Sequence, residues 1–304
     1  MMTILMNKFQ WRKKLLKHLL SAVLLGMLLS GCSIPKGSVG VGDSITGEVY
    51  PNADQYKAGA FVYQADTISE IEVCWRSGKI EIIESDHPSL NVCESGGELD
   101  TLSTMYSMQD GGVLKIQFCA SGAKIKVHPE EKHLRLEVPP GIKLSVHATA
   151  ANVKTTELNQ NHVQIAVFSG NMELGAVNAS SVDLSSSAGT ITADTVTAPE
   201  IRVNTSSGSV QLKRVLSDTV DAGSTAGCFD LEILSANSVA IHTKSGFTTL
   251  TLPTDGVQLL FDTQCGNFIS EATLDQKGDS YISGNGKCKI FVESTSGNLM
   301  VCSS

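Results

Sequence analysis

The chain has 304 residues, a formal net charge of -8 and 41% hydrophobic residues, but only 5% aromatic ones. So few rings argue against a wide globular interior and for a thin core of small and β-branched side chains. Five of the bases, Lys8, Arg12, Lys13, Lys14 and Lys17, precede Cys32 in a stretch without acids; setting that stretch aside leaves 18 bases against 31 acids. That balance disfavours nucleic acid or anionic lipid as a partner.

The first 31 residues place those bases ahead of the apolar run Leu19 to Leu29. The run is short for a membrane span and has the order of an export signal. It ends in Leu29-Ser30-Gly31-Cys32, which closely resembles the bacterial lipobox. That resemblance implies diacylation of the Cys32 sulfur and an extracytoplasmic, lipid-anchored protein. Two acyl chains are enough for stable anchoring. Residues 32–67, with Gly, Pro, Ser and Asp but no sustained periodicity, read as a lipidated cysteine followed by a tether.

From residue 68 to the end, apolar residues alternate around spaced glycines. The pattern is cleanest at Gly170, Gly189, Gly208, Gly227 and Gly246, always 19 residues apart. Seven and five residues before each glycine stand pairs such as Val163/Ile165, Val182/Leu184 and Ile201/Val203. A period of two is a strand signal, and a fixed 19-residue step is a repeat signal. The expected fold is therefore all-β: a single-stranded parallel β-solenoid of about 19-residue coils over residues 68–304. Some ten coils at about 4.8 Å each would give a body roughly 50 Å long. The glycine column marks a corner that needs positive φ or close backbone approach.

The repeat begins in degraded form. Ile71 and Val73 precede Gly78, Leu90 and Val92 precede Gly97, and Ile116 and Phe118 precede Ala123. Read as successive coils, these leave residues 101–112 as a corner loop. Leu134 to Val138 and Leu144 to Val146 read as two strands around the corner Pro139-Pro140-Gly141, and Pro253 to Gly256 as a second such corner. Trp75 and the loop at residues 98–112 are candidates to cap the first edge. The chain stops just after its last strand, Leu299 to Val301, so the C-terminal edge is expected to be exposed.

The Ser-Gly-centred coils, the Leu136-Glu137-Val138-Pro139-Pro140-Gly141 corner and the closing Ser294-Thr295-Ser296-Gly297-Asn298 resemble the bacterial putative-adhesin (DUF4097-like) family of β-strand repeat lipoproteins. The resemblance implies a β-solenoid on exported or membrane-linked proteins, some tied to envelope stress, and brings no catalytic residues.

Cys74, Cys93 and Cys119 each stand four residues before a register point, which would set them in one outward row. Neighbours about 4.8 Å apart fall inside the disulfide range, so a Cys74–Cys93 or Cys93–Cys119 bridge is one reading. Thiols packed under the tether or a loop are the plainer reading. His147 is the nearest further ligand for a soft metal in that column, but no metal or other cofactor is expected. Cys265 and Cys288 have inward parity. The inward row Ser186, Thr205, Ser224, Thr243 and Thr263 reads as a hydroxyl ladder bonded along the stack, not as a nucleophile. Paired carboxylates in neighbouring coils, a phosphate loop and a basic aromatic patch are all missing from the sequence pattern.

The function expected is a non-catalytic binding or scaffolding module at the cell envelope, adhesin-like, meeting a glycan or an envelope protein. The alternative is an envelope-stress component that senses cationic peptides or holds a membrane regulator. A carbohydrate-active enzyme is a third reading with no acid cluster behind it.

Overall fold

Apolar residues at alternate positions of a short repeat leave water only if each coil lies on the next. The computed structural model, which describes residues 45–97, 99–125 and 132–304, shows that stacking. The proposed signal and lipobox lie outside the described residues. In chain order the strands are β1 (Ile45–Thr46), β2 (Lys57–Ala58), β3 (Phe61–Gln64), β4 (Glu70–Glu84), β5 (Ser89–Ser95), β6 (Tyr106–Asp110), β7 (Val113–Gln117), β8 (Lys124–Ile125) and β9 (His133–Val138). The repeat proper follows with β10 (Lys143–Thr155), β11 (Glu157–Gln160), β12 (His162–Ser169), β13 (Met172–Ala179), β14 (Ser181–Ala188), β15 (Thr190–Thr197), β16 (Glu200–Thr205), β17 (Ser209–Leu216), β18 (Thr219–Ser224), β19 (Cys228–Ser235), β20 (Ser238–Thr243) and β21 (Phe247–Leu252). Last come β22 (Val257–Thr263), β23 (Phe268–Ser270), β24 (Asp275–Lys277), β25 (Ser280–Ile282), β26 (Cys288–Ser294) and β27 (Asn298–Ser303).

Each coil contributes one strand to each of two faces that meet at the glycine corner. On the first face β12, β14, β16, β18 and β20 pair in parallel, with Val163 on Val182, Val182 on Ile201, Ile201 on Val220 and Val220 on Val239. On the second face β13, β15, β17, β19 and β21 do the same from Met172 to Thr248. The coil holding Ile201, Val203, Val210, Leu212 and Val215 buries all of these side chains to 1% exposure or less. Each such side chain is worth about 1.5–3 kcal/mol when fully buried, a gain that needs the coils above and below.

The corner explains the glycine column. A Cβ at Gly170, Gly189, Gly208, Gly227 or Gly246 would stand 2.0 to 2.3 Å from a carbonyl oxygen of the preceding coil. Close approach is therefore the common requirement. Positive φ is not: Gly170, Gly189 and Gly246 have φ of 143°, 126° and 129°, whereas Gly208 and Gly227 lie outside that region. At those two corners the glycine amide donates to a hydroxyl three residues back, to Thr205 Oγ1 at 2.9 Å and to Ser224 Oγ at 2.6 Å. Thr263 and Ser294 accept from Gly266 and Gly297 in the same way. Thr205, Ser224 and Thr263 thus tie the turn within a coil and Thr243 donates to Ser245 O, while Ser186 Oγ is buried without a partner; the expected ladder along the stack is not what forms.

The sheet is mixed because its two ends depart from the repeat. At the N-terminal end the spacing from Gly78 to Gly97 is not one coil. β4 runs unbroken through Gly78 and stacks on β10, with Ile71 on Leu144 and Val73 on Val146. The chain between them folds outward: β7 lies parallel on β4 with Ile116 on Val73, two residues from the expected register. β6 returns antiparallel on β7, so the expected loop at residues 98–112 is in part a hairpin strand. β5 runs antiparallel between β3 and β9. The expected corner after Val138 is present, with Gly141 at φ 84° between β9 and β10.

The segment read as a tether is folded from residue 45 onward. β1 pairs with β8, β2 with β6 and β3 with β5. Tyr50 and Tyr56 are buried with Met108 in a small satellite core. Trp75 belongs to the main core, edge-on to Phe118.

The C-terminal end corrects a second expectation. The last strands in sequence are not at the edge. β26 lies parallel between β20 and β22, and β27 between β21 and β23. The segment between β23 and β26 supplies the β24–β25 hairpin, whose β25 covers β22 antiparallel.

Candidate functional site

Strand alternation sends every second residue of the first face outward, and the 19-residue register stacks these residues in columns. Gln164, Asp183, Arg202 and Asp221 form one column. Beside it run Ala166, Ser185, Asn204, Gly223 and His242 on one side and His162, Ser181, Glu200 and Thr219 on the other. The short side chains make a floor, and the charged column stands along it. Gly223 leaves room for its neighbour: a Cβ there would meet Asn204 Oδ1 at 2.5 Å.

Asp183 and Asp221 are half-buried. Burial pushes both carboxyls above the usual range, and Arg202 between them pulls both back. Arg202 is hydrogen-bonded to Glu200 of its own strand. His162 Nδ1 lies 2.5 Å from Ser181 Oγ, and burial lowers its pKa. Next along the stack His242 Nδ1 meets Glu293 Oε2 at 3.3 Å, while its Nε2 is buried without a partner. Phe291 packs edge-on to that ring. Phe168, 52% exposed, borders the floor on β12.

The second face differs. Its pairs Lys154–Glu173 and Lys213–Asp194 are largely solvated, as is Arg202–Glu200 on the first face, and pairs of that kind contribute little; what sets the first face apart is its two half-buried aspartates. Charges deprived of water are costly unless something repays them, so the first face is the better candidate for a ligand. Asp183 and Asp221 stand two coils apart, roughly 10 Å at the usual strand spacing. Arg202 stands between them in the register, so the column offers acceptor, donor and acceptor in succession.

The sequence-predicted residues fare unevenly. Leu29, Ser30, Gly31 and Cys32 lie outside the described residues. Cys74, Cys93 and Cys119 do not form one row: Cys74 pairs across strands with Gln117 and His147 on the first face, Cys93 faces Arg135 on the second, and Cys119 is buried behind the β1 segment. The reason is that β5, β6 and β7 fold outward between β4 and β9, which breaks the assumed coil order. All seven cysteines of the described residues are free thiols. Cys288 is buried as expected, but Cys265 is exposed. His147 does share the Cys74 column, half-buried, bonded to Ser145 Oγ at 3.1 Å and with its pKa lowered by burial. Among the described residues no group of three or more His, Cys, Asp or Glu could hold a metal ion. No described helix is long and apolar enough to cross a membrane.

One arrangement escaped the sequence reading. Lys132 is completely buried, with Nζ 2.5 Å from Glu94 Oε1 and donating to the carbonyls of Ser103 and Phe118. The ammonium lies 4.0 Å from the centre of the Phe118 ring and 5.1 Å from that of Trp75. Glu94 accepts from the Met105 amide and Thr104 hydroxyl with its other oxygen. Burial lowers the Lys132 pKa against the pull of Glu94. Parity offered a signal: Lys132 is in phase with Leu134 and Leu136, and Glu94 with Leu90 and Val92.

Stacked strands, glycine corners and a polar outer face define an all-β repeat protein. The Toastrack DUF4097 family model matches residues 68–301, and the chain belongs to that family. Among solved structures it is similar to a putative adhesin from Bacteroides fragilis, at 11% identity and a TM-score of 0.51 over 81% of this chain and 97% of that one. A putative lipid binding protein from Parabacteroides distasonis matches at 14% identity and a TM-score of 0.49, over 81% and 96% of the two chains. A putative adhesin from Parabacteroides merdae matches at 14% and 0.46, over 83% and 99%. At such identities the likeness concerns the fold alone. A comparison with curated protein sequences finds no match.

Proposed function

We propose that this chain is a non-catalytic binding or scaffolding module of the cell envelope, held on the outer side of the membrane by acyl chains on Cys32. Residues 1–31 would be the removed signal, 32–44 the tether and 45–304 the folded body. The observation that carries the binding role is the pair of half-buried carboxylates Asp183 and Asp221, set on either side of the exposed Arg202 in one continuous column of the first face. The adhesin-like names of proteins with the same fold agree with it. A polymer or protein presenting hydroxyl, amide or ammonium groups along a line would meet this column in register with the coils.

The test is a pull-down with the detergent-solubilised full chain against peptidoglycan, teichoic acid and the solubilised envelope proteome, at low and high salt. Retention of one partner class that depends on Arg202 and Asp221 supports the module. Retention unchanged in Arg202→Ala and Asp221→Ala removes this face from the function. The acidic surface favours one second reading, the sensing of cationic peptides; binding to such a peptide that is lost at high salt would select it.

A further inference from the structure

The N-terminal end of the stack carries an apolar surface beside the point where the chain enters the fold. Val49 is 85% exposed and Leu102 50% exposed. They flank one turn: Gly122 N donates to Glu48 O, a Cβ on Gly122 would touch Val49 Cγ2 at 3.4 Å, and Ala120 N donates to Leu102 O. Tyr106 adjoins them, its hydroxyl donating to Thr101 O and its ring packing on Tyr50, Tyr56 and Met108. Lys124 is exposed on the strand paired with β1. The surface is also firmly held, because buried Lys132 is bonded to the carbonyls of Ser103 and Phe118, one residue past Leu102 and two before Ala120.

We infer that this end, with Val49, Leu102 and Tyr106, is a seat that rests in the interfacial layer of the membrane to which Cys32 is tethered. The inference rests on the anchoring proposed above. Its occupant follows from chain length: only 12 residues separate Cys32 from β1, at most about 45 Å fully extended. The end at which the chain enters the fold is therefore the end kept near the lipid. Exposed aliphatic side chains with tyrosine and lysine at their margin match the chemistry of that layer. The acidic balance of the rest of the chain opposes adsorption by charge, so the tether and the apolar seat have to act together. The coil stack would then stand away from the membrane, with its first face open to the surroundings.

The experiment uses the full lipidated chain reconstituted in phosphatidylcholine vesicles containing a radiolabelled lipid. p-Benzoylphenylalanine replaces Val49, Leu102 or, at the opposite end, Ile269, itself 49% exposed. Flotation of each preparation, with Cys32→Ser as control, reads the anchor separately from the photoadducts. The seat predicts labelled lipid adducts at positions 49 and 102 and their loss at 269. Vesicle-bound chain with no adduct at 49 or 102, or equal adducts at all three, overturns the seat and leaves the anchor standing. A cross-linked dimer at 49 or 102 assigns the surface to a second copy instead. Wild-type chain that fails to float, or floats equally as Cys32→Ser, overturns the anchor and the seat with it.

Discussion

Thr205 and Gly208 show how little freedom single residues have in this stack. Replacing Gly208 by Ala puts a Cβ 2.0 Å from Gly189 O, and because its φ is not left-handed the cost is steric. We expect a loss of about 1–3 kcal/mol in chemical denaturation, as for other overpacked sites. Thr205→Val keeps the shape but strands the Gly208 amide, for about 1–3 kcal/mol. Asp183 and Asp221 act in the opposite sense. Their folded pKa values lie above the unfolded ones, so the folded state holds protons longer. Stability is greatest where both states are protonated and falls as pH rises from the unfolded pKa through the folded one. Asp183→Asn or Asp221→Asn should therefore raise the thermal midpoint at neutral pH, and the gain should vanish near pH 3, below the ordinary carboxylate pKa of about 3.9. A lower midpoint at neutral pH would contradict the desolvated column. The glycine spacing was legible in the sequence because backbone approach leaves one residue type. Which corner hydroxyl bonds which amide was not, since Ser and Thr serve several geometries equally well.

Among the elements, the two ends carry the instructive differences. β26 and β27 close the chain but lie inside the stack, so their amides should exchange as slowly as those of β18 and β20 in native-state hydrogen exchange. Truncation after Lys287 should unfold β22 to β25 with them; retention of those strands would refute the pairing. At the other end Lys132 and Glu94 join β9 to β5. Glu94→Gln should cost about 3–5 kcal/mol, as expected when one partner of a buried ion pair is lost, while Lys132→Met with Glu94→Leu should cost less than the sum of the single changes. Periodicity picked out buried residues at both ends: Leu90/Val92, Ile116/Phe118 and Leu299/Val301 are all buried, although Phe118 lies just past β7. It could not give their order. A strand's alternation is the same whether it runs parallel to its neighbour or returns on it, and whether its partner lies 19 residues away or 73, as from Ile71 to Leu144. The cysteine row failed for that reason.

For the whole molecule, the stack turns a one-dimensional repeat into a long two-faced body with its two ends treated differently. Both faces hold solvated ion pairs, but the first also holds two aspartates whose charged forms burial makes costly. The family and the strand repeat were readable from glycine and valine columns, because a coil that must bury its neighbours has few sequence solutions. The charged column was present in the same rows, but only the register between Asp183, Arg202 and Asp221 shows that it is continuous. The most direct test compares retention of solubilised envelope and wall polymers by the full chain with retention by four single-face variants. Arg202→Ala and Asp221→Ala alter the first face; Glu173→Ala and Gln211→Ala alter the second. The account predicts loss of the retained partner with the first pair and no change with the second. Equal retention by all four, or loss only with the second pair, would contradict it.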